Sequence, residues 1–89
     1  MEIIFLGYQL VEFTNNDGQY VKGCKFTFCF ESDKRNYKGY ESSSYFADFS
    51  RDRILYDIVQ KCIPLEHYML DLTPSFSGKT RINNIVPVK

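Results

Sequence analysis

The chain has 89 residues and a formal net charge of zero, with 11 Lys and Arg against 11 Asp and Glu. This length suffices for one domain and is too short for two. Zero net charge argues against a protein that holds nucleic acid by bulk charge alone, although it allows a local basic patch. Aromatic residues make up 17% of the chain, and Phe and Tyr favour pleated, half-buried surfaces. We therefore expect a single β-rich domain over residues 1–89.

The cysteines exclude some classes of protein. Cys24, Cys29 and Cys62 form an odd set without C-x-x-C spacing, which argues against a disulfide framework or a zinc site and predicts small buried side chains. The first apolar run, from Ile3 to Leu6, is too short for a signal peptide or a membrane span. These features predict an intracellular, cytoplasmic protein that does not enter a membrane.

Residues 2–13 predict a long, central first strand, because both of its faces are apolar at the start. Gly7 indicates a bulge or bend within it. Strict alternation places Ile4, Leu6, Tyr8 and Leu10 on one face and Ile3, Phe5, Val11 and Phe13 on the other. The segment 15–18, Asn-Asn-Asp-Gly, then predicts a hairpin turn, since these residues tolerate positive φ.

Residues 19–31 carry the clearest alternation and predict the second strand. One face is apolar and is expected to be core: Cys24, Phe26, Phe28 and Phe30. The opposite face is mostly polar: Lys25, Thr27, Cys29 and Glu31. Gly23 is a second candidate bulge.

The second half of the chain predicts one helix among three strands. Residues 32–44 read as a polar loop or the tip of a long hairpin, and the third strand runs over 40–49. Asp48 or Ser50 can cap a helix over 50–62, which Pro64 ends. Its apolar face is expected to be Ile54, Leu55, Ile58, Val59 and Cys62. Strands over 66–73 and 80–88 follow, and Pro87 implies a sheet edge or a strand end.

This β-β-β-α-β-β order, with long strands bent at glycine, predicts a five-stranded Greek-key barrel of the OB type. The helix between the third and fourth strands would then plug one end. The alternative is an open α+β sheet with one helix packed on its face.

Catalytic chemistry is not indicated. The single histidine, His67, has no carboxylate at a spacing that would orient it and no nearby nucleophile. The acidic residues are scattered, and the glycines are spaced as turns rather than as a phosphate-binding loop. The sequence predicts a protein that is not an enzyme and uses neither a metal nor a cofactor.

Residues 34–40, Lys-Arg-Asn-Tyr-Lys-Gly-Tyr, combine cations with two tyrosines in a segment too polar for a core. Single-stranded nucleic acid is bound by this combination, since cations follow the phosphates and aromatic faces stack on the bases. The alternative is a solvated hairpin tip whose tyrosines rest on the sheet.

In an OB barrel the ligand face lies on strands two and three, flanked by the loops after strands one and four. That geometry would gather the dispersed cations and aromatics on one surface. The candidate binding residues are Lys22, Lys25, Lys34, Arg35, Tyr37, Lys38, Tyr40, Phe76, Lys79 and Arg81.

The chain resembles the small helix-destabilising, single-stranded-DNA-binding proteins of filamentous phages and related elements. The likeness lies in the overall length, the glycine-bearing second strand at 20–23, the basic and aromatic hairpin at 34–40, and the closing segment 78–89. It implies an OB fold, binding of single-stranded DNA from a phage or mobile element, and a homodimer. A different reading, favoured by zero net charge and strand-edge aromatics, is an accessory or inhibitory module that binds a protein partner and no nucleic acid.

Overall fold

The computed structural model describes residues 1–74 and 80–88. Its elements are β1 (Glu2–Thr14), β2 (Tyr20–Glu31), β3 (Tyr40–Asp48), α1 (Arg53–Val59), β4 (His67–Pro74) and β5 (Thr80–Pro87). Every predicted strand is present, with each end within one residue of its expected position. The helix is shorter than the predicted 50–62, because its first and last turns are not α-helical.

The strands form one antiparallel sheet in the order β3-β2-β1-β4-β5, which confirms a mainly β fold with one helix. The sheet is not closed, since no ladder joins β3 to β5 within residues 1–74 and 80–88. β1 is the middle strand, as its two apolar faces predicted. Both edge strands nevertheless line one cleft of about 330 Å³, with Ser44 and Tyr45 on one side and Thr80 and Ile82 on the other.

A bulge in β1 decides which of its residues face the core. The pairing with β2 shifts between Phe5 and Gly7, which confirms the bulge predicted at Gly7. Phe5 pairs with Phe28 before the shift, and Tyr8 pairs with Phe26 after it. Strict alternation over the whole strand was therefore wrong, because the extra residue moves Tyr8 and Leu10 onto the face of Ile3 and Phe5.

The expected bulge at Gly23 is wrong, because pairing on both sides of β2 is regular there. Gly23 instead makes room for a neighbouring side chain. A Cβ at this position would overlap the Phe46 ring and the Ala47 carbonyl oxygen. The lack of a side chain, not a kink, is what the sheet requires here.

The core lies between α1 and the face of the sheet that carries the predicted phenylalanine stripe. Its largest fully buried side chains are Phe5, Phe26, Ile3, Leu55, Val59 and Cys24. Ile54, expected to face the core, is 69% exposed, and Tyr56 is buried in its place. The buried residues of α1 are Leu55, Tyr56 and Val59, so Ile54 lies outside the side of the helix that packs on β5 and β3.

Asp48 caps the turn before α1 rather than the helix itself. Its Oδ1 accepts hydrogen bonds from the backbone N–H groups of Ser50 (2.9 Å) and Arg51 (3.1 Å). Ser50, the other candidate cap, lies within that turn. No helix in the described part of the chain is long and apolar enough to cross a membrane.

Candidate nucleic-acid interface

The face of the sheet opposite the core, called here the outer face, carries part of the predicted site. Lys25 on β2 pairs with Gln9 on β1 and with Phe46 on β3, so these three residues form one row across the sheet. The alternation along β2 puts Thr27 and Glu31 on the same face. Glu31 pairs with Tyr40, which begins β3 after the loop. Lys25 is exposed and has no ion pair with any described residue.

The loop 32–39 extends this face beyond the ends of β2 and β3. Its backbone is closed by a hydrogen bond from Ser32 N–H to the Gly39 carbonyl (2.8 Å). The Tyr37 hydroxyl donates to the Tyr40 carbonyl oxygen (3.1 Å), which fixes one tyrosine relative to the other. Both rings are about half exposed, and the loop therefore presents aromatic surface to solvent.

An ion pair at the base of the loop involves Lys34, one of the residues predicted to bind nucleic acid. Lys34 Nζ lies 2.6 Å from Glu41 Oε1, and the Ser32 hydroxyl donates to Glu41 Oε2 (3.0 Å). Hydrogen bonding to Glu41 raises the pKa of Lys34, and bonds from Lys34 and then Ser32 lower the pKa of Glu41. Arg35 and Lys38 are exposed and make no ion pair within residues 1–74 and 80–88. Arg35 and Lys38 are therefore the two cations of the loop that have no ion pair with any described residue.

Lys22 and Lys25 lie on opposite faces, and the expectation that they share one was wrong. Lys22 is two residues from Cys24 and thus projects on the core side of the sheet. Its Nζ lies 4.2 Å from the centre of the Phe49 ring, and Arg53 approaches the same ring at 4.1 Å. Lys22 contributes to a cation–π cluster beside the helix.

Arg81 is held by a buried carboxylate. Its guanidinium donates to Asp52 Oδ1 (2.9 Å), while Arg51 donates to Asp52 Oδ2 (3.1 Å). The Asp48 N–H also donates to Oδ2 (3.2 Å), and Asp52 is only 6% exposed. Arg81 therefore connects β5 to the turn before α1, and an approaching phosphate would have to compete with Asp52 for it.

Phe76 and Lys79 lie outside the described residues. Phe46 and Gln9 belong to the outer-face row but were not predicted, because only the register of three strands brings them beside Lys25. The period-two pattern assigns a residue to a face without identifying its neighbours on other strands.

His67 gains a carboxylate partner that its sequence neighbours did not suggest. Its Nδ1 lies 3.1 Å from Glu2 Oε2, because β4 pairs with the start of β1. Cys29 is the nearest thiol in the same row, but Ile4 lies between it and His67. Two strand spacings separate them by about 10 Å, too far for a nucleophile to hydrogen-bond its base. Residues 1–74 and 80–88 hold no cluster of three or more His, Cys, Asp or Glu that could bind a metal ion.

No protein-family model, curated protein or solved structure matches this chain.

Proposed function

We propose that the chain binds single-stranded nucleic acid, most simply single-stranded DNA, on its outer face and without catalysis. The observation that carries the proposal is the continuity of this face with the loop 32–39. Lys25 and Phe46 lie at one end of it, Tyr40 at the other, and Arg35 and Lys38 follow in the loop. Glu31 is six positions beyond Lys25 on β2, which is about 20 Å of extended chain and long enough for several stacked nucleotides.

The strand order supports an OB-type fold as part of the same proposal. A five-stranded Greek-key barrel opened between its third and fifth strands has the order β3-β2-β1-β4-β5, with β1 paired to both β2 and β4. The cleft shared by β3 and β5 and the packing of α1 on both strands favour a partly open barrel over a flat sheet. In that fold the face of strands two and three is the usual ligand surface.

The charge distribution supports a modest, salt-sensitive affinity. Lys25, Arg35 and Lys38 remain available for phosphate, whereas Lys34 and Arg81 already contact carboxylates. Each phosphate contact to a single strand contributes about −0.7 to the slope of log K against log salt concentration. Three contacts would therefore give a slope of about −2.

Fluorescence anisotropy with labelled DNA and RNA oligonucleotides over a salt series tests this proposal. We expect Lys25→Ala to weaken binding and to make the salt slope shallower by about 0.7. Lys61→Ala removes an equal charge beyond the end of α1 and should leave both quantities unchanged.

Two results would contradict the proposal. One is no binding to either nucleic acid at low salt, which would leave recognition of a protein partner as the function to test. The other is an equal loss of affinity in the Lys25 and Lys61 variants, which would indicate attraction by charge without a defined face.

A further inference from the structure

A hollow of about 280 Å³ lies on the outer face, between the start of β3 and the start of β4. Ile4 and Cys29 pair with each other across β1 and β2, and both half-buried side chains line the hollow. Tyr40 on β3 and His67 on β4 border it from opposite sides, because β2 and β1 lie between these two strands. The volume is close to the lower end of the range for small-molecule sites, about 300 Å³, and suits one planar ring system.

Two carboxylates also line the hollow, and they differ in their partners. Glu2 Oε2 lies 3.1 Å from His67 Nδ1 and is therefore engaged within the sheet. Glu31 is exposed and has no ion pair with any described residue. Because Glu31 pairs with Tyr40 across β2 and β3, it offers two acceptor oxygens beside an aromatic ring that is about half exposed.

The charge at this position decides which part of a nucleic acid can enter the hollow. A phosphate would be repelled by Glu31 and Glu2, since like charges at short range oppose contact. A base carries no charge, and in a single strand its Watson–Crick edge is free to donate hydrogen bonds. A strand that follows the outer face must therefore turn a base, not its backbone, towards the hollow, where the Tyr40 ring can stack on it.

The four bases differ in the donors that they can offer to one carboxylate. Guanine presents two adjacent donors on its Watson–Crick edge, N1–H and the N2 amino group, and these match the two oxygens of Glu31. Thymine has a single N–H between two carbonyl acceptors, and adenine and cytosine each have an amino group beside a ring nitrogen that accepts. With these three bases one carboxylate oxygen would face another acceptor. Bidentate contacts give the strongest discrimination between bases, so the hollow favours guanine.

We propose that this hollow is a base-recognition site that selects guanine, with Glu31 accepting from N1–H and N2–H and Tyr40 stacking on the ring. The inference rests on the proposed binding of single-stranded nucleic acid and adds a preference for one base to it. Lys25 lies on one side of the hollow along the outer face, and the loop cations Arg35 and Lys38 lie on the other. These three residues would contact the phosphates on either side of the selected base.

Fluorescence anisotropy with an oligothymidylate, and with the same oligonucleotide carrying one dG at its centre, tests the preference. We expect the single guanine to tighten binding about tenfold. Inosine lacks the N2 amino group and should lose most of this gain. The base 7-deazaguanine keeps both Watson–Crick donors and should retain it. These measurements use the wild-type chain and do not depend on a variant folding.

Glu31→Gln should abolish the difference between the two oligonucleotides, because the amide nitrogen replaces one of the two acceptor oxygens. Its affinity for the oligothymidylate should not fall, since the substitution only removes a negative charge from the outer face. Glu12→Gln is the matched control. It removes the same charge from the opposite face of β1, where Glu12 pairs with Lys22, and should leave the tenfold preference intact.

The possible failures are distinguishable. Binding to the oligothymidylate without a preference for guanine would overturn this inference and leave the proposed function standing. A preference that survives Glu31→Gln, or that 7-deazaguanine removes, would also overturn it, because either result would assign recognition to other groups. No binding to either oligonucleotide at low salt would overturn the proposed function and this inference together.

Discussion

Arg81 on the last strand donates a hydrogen bond to the buried carboxylate of Asp52, 29 residues earlier in the chain. This contact ties β5 to the turn that leads into α1, at a point where the sheet itself does not join β5 to β3. Asp52 accepts from Arg51 as well, so two arginines compensate its buried negative charge. The pair is therefore a structural link between the two edges of the sheet.

We expect Asp52→Asn to lower the free energy of unfolding by about 2–3 kcal/mol, because the variant leaves Arg81 and Arg51 without their charged partner. Asp57→Asn is the matched control, since Asp57 pairs with Arg53 on an exposed helix face. It should cost about 0.5 kcal/mol or less. Urea denaturation at neutral pH measures both values, and equal losses would show that the burial of Asp52 has no energetic consequence.

Gly23→Ala should destabilise the fold by about 1–3 kcal/mol, because the new Cβ would overlap the Phe46 ring and the Ala47 carbonyl oxygen. Gly7→Ala is the same substitution at a site where a Cβ meets no atom within 4 Å, and we expect a change within about 0.5 kcal/mol. Phe46→Ala should relieve part of the Gly23→Ala cost in a double-mutant cycle. Full additivity of the two substitutions would contradict the packing of Phe46 over Gly23.

Glu41→Gln should strengthen binding of single-stranded DNA if the proposed interface is correct. The substitution releases Lys34 from its ion pair and removes a negative charge from the base of the loop. We expect the salt slope to steepen by about 0.7, which corresponds to one additional phosphate contact. Glu66→Gln, immediately before β4, should leave the slope unchanged. Weaker binding by the Glu41 variant would contradict this prediction. It would indicate that the order of the loop contributes more to DNA affinity than its charge does.

The buried thiols predict a loss of stability at high pH. Burial raises the pKa of Cys24 to about 11, with a smaller effect from Cys62. A thiol whose pKa is raised by folding stabilises the protein fully below its unfolded pKa, and this contribution disappears as the pH rises through the folded value. The free energy of unfolding should therefore fall between about pH 9 and pH 11.

Urea titrations across that range should show a shallower decline for Cys24→Ala than for the wild-type chain. Parallel declines would indicate that other groups cause the pH dependence.

In the folded protein at pH 8, a thiol reagent should modify the half-buried Cys29 before Cys24 and Cys62. Equal rates at the three thiols would contradict their burial.

Local pattern was sufficient for the strands, the hairpin turn, the phenylalanine core and the bulge at Gly7. These features depend on residues close in sequence. Strand alternation, the residue types that favour a turn and the missing side chain of a glycine each affect only a few neighbouring positions. The same pattern failed beyond the bulge, where one extra residue reversed the faces of Tyr8 and Leu10. Alternation specifies faces only along an uninterrupted ladder.

By itself, then, the sequence was sufficient to predict the order and type of the elements. It also predicted that a basic, aromatic loop is a candidate binding segment. The tertiary structure decided which cations are free, because Lys34 and Arg81 meet Glu41 and Asp52 only after folding. It also decided that β4 pairs with β1 only over residues 2–4, which leaves the rest of that side of β1 without a ladder to any described residue. The physical reason is that ion pairs and ladder ends depend on residues far apart in the chain, and a one-dimensional pattern contains no information on which of them meet.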